Sequence, residues 1–101
     1  MRMLLEVYIP NHEFNEAIKD GTAGKKMKHI LEDTRPEAVY FCERDGKRGA
    51  TMIVNVPDPS KIPALAEPWF LMFNAEVKFR ICMTVEDLQK AGLEDLGKKW
   101  S

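Results

Sequence analysis

Apolar and polar residues alternate with period two at several places along the chain, and each place reads as a strand with two unlike faces. Met3, Leu5, Val7 and Ile9 alternate with Leu4, Glu6 and Tyr8; Pro10, unable to donate to a ladder, ends the run. Asn11 then suits a helix N-cap, with Phe14, Ala17 and Ile18 on one side of the helix that follows. Asp20-Gly21-Thr22-Ala23-Gly24 breaks that helix, because each glycine costs roughly 1 kcal/mol in a helix interior. A second helical stretch carries Met27, Ile30 and Leu31 and closes before Pro36. From Ala38 to Val56 two strand-like runs flank Asp45-Gly46, a dipeptide that suits a tight hairpin because both of its residues take positive φ.

The second half repeats the logic. Ser60 reads as the cap of a helix with Pro63 in its first turn and an apolar stripe of Ile62, Leu65, Ala66, Trp69 and Phe70. Pro68 predicts a kink in that helix, with the chain continuing through Phe73. Val77, Phe79 and Ile81 then alternate with Glu76, Lys78, Arg80 and Cys82. Thr84 and Asp87 have the spacing of a capping box for a last helix bearing Leu88, Leu93, Leu96 and Trp100, shortened or broken by Gly92 and Gly97.

The order β-α-β-β-α-β-α predicts one α+β domain over residues 1–101, a ferredoxin-like split βαβ fold. Its antiparallel sheet has the spatial order 4-1-3-2, with both crossover helices on one face and an added C-terminal helix. The helix-side set is apolar throughout, from Met3, Leu5 and Val7 to Val39, Phe41, Met52, Val54, Phe79 and Ile81. The opposite face holds Leu4, Glu6, Tyr8, Tyr40, Cys42, Arg44, Thr51, Ile53, Asn55, Glu76, Lys78, Arg80 and Cys82. That mixture is too polar for a dry core and greasier than a solvated face requires. Two readings stand: a wet sheet face, or a sheet-to-sheet homodimer contact enclosing a partly polar cavity.

Composition narrows the partners. Lys and Arg number 15 against 16 Asp and Glu, a net charge of −1, so no basic excess points to nucleic acid. No apolar run approaches the roughly 20 residues of a membrane span, and Glu6 interrupts the first apolar stretch, which reads as a strand and not as a signal peptide. Cys42 and Cys82 fall on opposite edge strands, about 14 Å apart at three strand spacings. They are expected to be free thiols, and the cytoplasm is the expected compartment.

Specific runs carry a resemblance. PEAVYF at 36–41, DGKRG at 45–49, AEPWFLMFNAEV at 66–77 and MTVEDLQKAGL at 83–93 resemble a group of small uncharacterised bacterial proteins of the dimeric α/β-barrel superfamily. More loosely, the second half is similar to muconolactone isomerases and stress-responsive barrel proteins. The resemblance implies a homodimer whose two sheets close a barrel. It does not imply oxygenase chemistry, since Glu6 and Tyr8 stand where oxygenases of that superfamily often present Asn from the first strand.

Candidate chemistry gathers on the mixed face. Glu6 and Tyr8 project together from a central strand, a carboxylate and a phenol suited to general base and acid work beside a carbonyl. Asn55, Arg44, Arg80 and Tyr40 are the expected ligand-binding residues, with the arginines matched to a carboxylate. Cross-strand pairing of Glu6 with Lys78 or Arg80 is the simpler alternative for Glu6. His12 and His29 have no third ligand at metal spacing, and Gly21 to Lys26 fails the P-loop pattern at Lys19 and Lys26. No metal or other cofactor is expected. The expected function is binding or cofactor-free transformation of a small, anionic organic molecule; the alternative is a non-catalytic stress-related or regulatory dimerisation module.

Overall fold

The computed structural model describes all 101 residues. Its sheet is assembled on β1 (Arg2–Tyr8), which pairs antiparallel with β3 (Lys47–Asn55) on one side and β4 (Glu76–Ile81) on the other. β2 (Ala38–Arg44) completes the order β2-β3-β1-β4, the expected 4-1-3-2 viewed from the other edge. α1 (Asn11–Lys19) and α2 (Ala23–Thr34) link β1 to β2, while a 3-10 turn (Pro59–Lys61) and α3 (Ile62–Phe73) link β3 to β4. This is the ferredoxin-like α+β arrangement. It is followed by α4 (Val85–Lys90) and α5 (Leu93–Lys99).

Local chemistry explains the punctuation. Asp45 and Gly46 take φ of 52° and 78°, and Arg44 pairs with Lys47 across them, so the hairpin closes in two residues. α1 and α2 part at Asp20–Thr22, where the Asp20 carboxylate accepts from the Thr22 backbone N–H and hydroxyl. Those two bonds hold the Asp20 carboxyl below its ordinary pKa. Two expected caps move. Asn11 is already helical, with Pro10 before it and no side-chain bond. Asp58, not Ser60, caps the turn before α3 by accepting from the Ser60 N–H. Pro68 leaves α3 assigned through to Phe73.

Burial divides the sheet sharply. Leu5, Val7, Met52 and Val54 are almost fully excluded from solvent and meet Ala17, Ile30, Leu65, Trp69 and Phe73 from the helices. Phe14 stacks on Phe73 with ring centroids 5.2 Å apart, carrying α1 into the same core. Trp69 and Phe73 are thus core residues of the helix side, while Phe70 and Leu71 of the same helix point outward. The expected apolar face is incompletely covered at its corners: Phe41 is 56% exposed and Ile81 68%.

The molecule is elongated. Its radius of gyration is 17.2 Å and its extents are 60 × 29 × 19 Å, against roughly 13 Å for a compact domain of 100 residues. The excess length belongs to α4 and α5, which have no buried residue. No helix is long and apolar enough to cross a membrane.

Truncating Trp69 to Ala removes the largest buried side chain and should cost about 3–5 kcal/mol in urea unfolding. Arg35→Gly should instead stabilise by roughly 0.5–1 kcal/mol, because Arg35 ends α2 at φ 45°. A loss of stability in that variant would show that the Arg35 side chain, and not the αL backbone, sets this helix end.

Candidate functional site

β1 supplies the centre of the site because alternate residues of one strand share a face. Glu6 lies opposite Thr51 on β3 and Lys78 on β4; Tyr8 lies opposite Gly49 and Glu76. The Tyr8 hydroxyl donates to Glu6 Oε2 at 3.1 Å, and Arg80 Nε approaches Glu6 Oε1 at 3.6 Å. The Glu6 side chain is only 14% exposed while Arg80 is 64% exposed, so the carboxylate is sheltered by partners that remain wet. An open pair of this kind contributes up to about 1 kcal/mol.

Cations surround the phenol. Lys78 Nζ stands 5.1 Å from the Tyr8 ring centroid, and the Arg44 guanidinium 5.9 Å from it. Arg44 reaches that position from the hairpin end by lying across β3, where its guanidinium also bonds the Thr51 hydroxyl. Gly49 makes this crossing possible. A Cβ at Gly49 would sit 2.5 Å from Arg44 Cγ and 3.0 Å from the Val7 carbonyl oxygen. The sequence signal was a glycine inside a strand, which marks a close approach. Glu6, Tyr8, Arg44 and Arg80 thus come together as expected, with Lys78 beside them, and Thr51 and Gly49 join the cluster without having been expected there.

Two expected members lie elsewhere. Asn55 pairs with Arg2, four residues along β1 from Glu6, or roughly 13 Å away. Its side chain accepts from the N-terminal ammonium at 3.2 Å, so it does not join Glu6 and Tyr8. Tyr40 lies opposite Thr51 on the outer strand, two strand spacings or roughly 10 Å from Glu6, and is 73% exposed. Trp69 and Phe73 lie on the other side of the sheet, in the core beneath the helices. Cys42 and Cys82 are free, the first on edge strand β2 and the second just past the end of edge strand β4.

The protomer's largest depression is also elsewhere. A groove of about 820 Å³ opens on the helix side between α1, the start of α2 and the β2–β3 tip, lined by Ile9, Phe14, Met27, Phe41, Lys47 and Arg48 among others. Arg48 crosses it, donating to Asn15 Oδ1 at 2.8 Å with its guanidinium 4.8 Å from the Phe14 ring centroid. The mixed face is an open surface in a single protomer, with no wall opposite Glu6 and Tyr8.

No family model matches the chain, and no curated protein matches it. Among solved structures it aligns with the de novo designed protein Ferredog-Diesel at 14% identity and a TM-score of 0.44, over 80% of this chain and 85% of that one. That neighbour does not support the likeness to muconolactone isomerases or stress-responsive barrel proteins. What stands of that likeness is the ferredoxin-like topology, which the strand pairing above establishes.

Gly49→Ala is expected to push Arg44 off Tyr8 and to destabilise by about 1–3 kcal/mol. Chemical denaturation, together with the aromatic NMR shifts of Tyr8, checks this. An unshifted Tyr8 would mean that Arg44 does not depend on the missing Cβ.

Proposed function

We propose that two copies pack mixed face to mixed face and hold a small organic anion against Glu6 and Tyr8. The observation that carries this reading is the chain from Arg80 on edge strand β4 to Glu6 and Tyr8 on central strand β1, flanked by Lys78 and Arg44. Three cations against Glu6 and Glu76 leave the cluster with a positive surplus for a carboxylate. Arg binds such a group with a planar pair of donors, and Lys with a point charge. A second sheet about 10 Å above the first would exclude water and strengthen every one of these contacts.

The chemistry that suits the cluster is cofactor-free proton transfer. The Glu6 carboxylate accepts a proton from a carbon next to a carbonyl, while the Tyr8 hydroxyl turns to the developing oxyanion. Arg80, 3.6 Å from Glu6 Oε1, keeps the carboxylate aligned between turnovers. A second reading, a non-catalytic stress-related or regulatory dimerisation module, draws on the exposure of Tyr40 and Leu4's partly buried neighbourhood on the same face. In that reading the polar cluster serves only to fix register between two sheets.

Tyr8→Phe and Glu6→Gln separate the two. Oxaloacetate, acetoacetate and 4-hydroxybenzoate serve as probes, all read by thermal shift and the two keto acids also by deuterium exchange at the carbon next to the ketone. The site reading predicts at least a tenfold weaker response in both variants with the oligomeric state unchanged. Variants that loosen the dimer and leave the probe response unaltered would support the module instead.

A further inference from the structure

The C-terminal arm is the least satisfied part of the molecule. α4 and α5 have six and seven residues, while isolated helices shorter than about 12–15 residues are marginal in water. Both still present apolar stripes: Val85 and Leu88 on one, Leu93, Leu96 and Trp100 on the other, with Trp100 78% exposed. The arm's root is firmly built. The Cys82 N–H donates to the Arg2 carbonyl at 3.3 Å, and Thr84 and Asp87 form a reciprocal capping box. The backbone and hydroxyl of Thr84 hold the Asp87 carboxyl below its ordinary pKa. A defined root, a break at Gly92 (φ 72°) and an uncovered apolar side describe an element shaped to lie on something.

The same chain carries an unfilled counterpart. The groove between α1, α2 and the hairpin tip exposes Phe41 beside Phe14 and Met27, with Lys47 on its lip and Arg48, bonded to Asn15, lying across it. The first turn of α5 carries Glu94 and Asp95, opposite in sign to that lip. The arm does not reach its own groove. It leaves the sheet at the Arg2 end, whereas the groove lies at the Gly49 end, about 20 Å away along β1, and the arm extends outward from there.

We propose that the arm of one protomer seats in the groove of a second copy, with Leu93, Leu96 and Trp100 against Phe41 and with Glu94 and Asp95 facing Lys47 and Arg48. A two-fold pair satisfies both surfaces in both chains, since each arm fills the groove that the other leaves open. The exchange needs the second copy that the proposed function also needs, but it needs no ligand and uses the helix side of the sheet.

The test uses full-length chains in a Cys42→Ser, Cys82→Ser background. One variant carries Leu96→Cys and the other Phe41→Cys; they are mixed, treated with a short bis-maleimide and run on a denaturing gel. Arm exchange predicts a covalent dimer in the mixture and little in either variant alone. As a second reading, Glu94→Lys should weaken the dimer by roughly tenfold, and adding Lys47→Glu should restore it. A native-mass dimer without the cross-link, and without the charge rescue, overturns arm exchange while leaving the sheet-face reading intact. In a third variant carrying both Leu96→Cys and Phe41→Cys, a cross-link formed within one chain overturns it as well. A monomer under native conditions removes both proposals.

Discussion

Everything in this fold depends on β1 keeping its register between two unlike faces. Leu5 and Val7 are sealed against Trp69 and Phe73, while Glu6 and Tyr8 between and beside them stand on the other side. A slip of one residue would drive a carboxylate into the aromatic core and set Leu5 and Val7 on the open face. Burying an unpaired carboxylate costs far more than the roughly 1.5–3 kcal/mol gained by burying an aliphatic side chain. The register is therefore held by what each face would suffer if exchanged. That same constraint places Glu6, Tyr8, Lys78 and Arg80 together.

Short-range signals in the sequence located most of the architecture. The period-two runs gave the faces, Asp45-Gly46 gave the hairpin, and Gly21 fell at the break between α1 and α2, while Gly24 lies in the first turn of α2. Thr84 with Asp87 formed the capping box their spacing implied. What stayed hidden depended on distant pairing. Asn55 read as a neighbour of Glu6 because both lie on the mixed face, but the register sets it against Arg2. Arg35 and Asn74 end helices in the left-handed region, where a glycine would have been the visible sign. Gly49 looked like part of the turn, and its purpose appears only once Arg44 is seen lying across it.

The protomer is well packed on one side and unfinished on two others. Its core is continuous from Ala17 through Ile30 to Phe73, so the open mixed face and the uncovered arm are not symptoms of a weak fold. Large apolar side chains left in water along an ordered element are a recurring mark of an interaction surface. Here the arm, the groove and the cationic cluster around Tyr8 occupy different parts of the molecule. The proposed pairing of two copies would satisfy them together, with sheets enclosing the cluster and arms filling the grooves. Ligand site and assembly would then be coupled, because the wall opposite Glu6 exists only when the second chain is present.

Native mass spectrometry of freshly purified protein, intact and then denatured, tests that account most directly. The account predicts a dimer, with a small additional mass that departs on denaturation when a ligand has been retained. A stable monomer across micromolar concentrations would contradict it, leaving the mixed face as a solvated sheet surface and the Glu6–Tyr8 contact as ordinary pairing of neighbours on one face of β1.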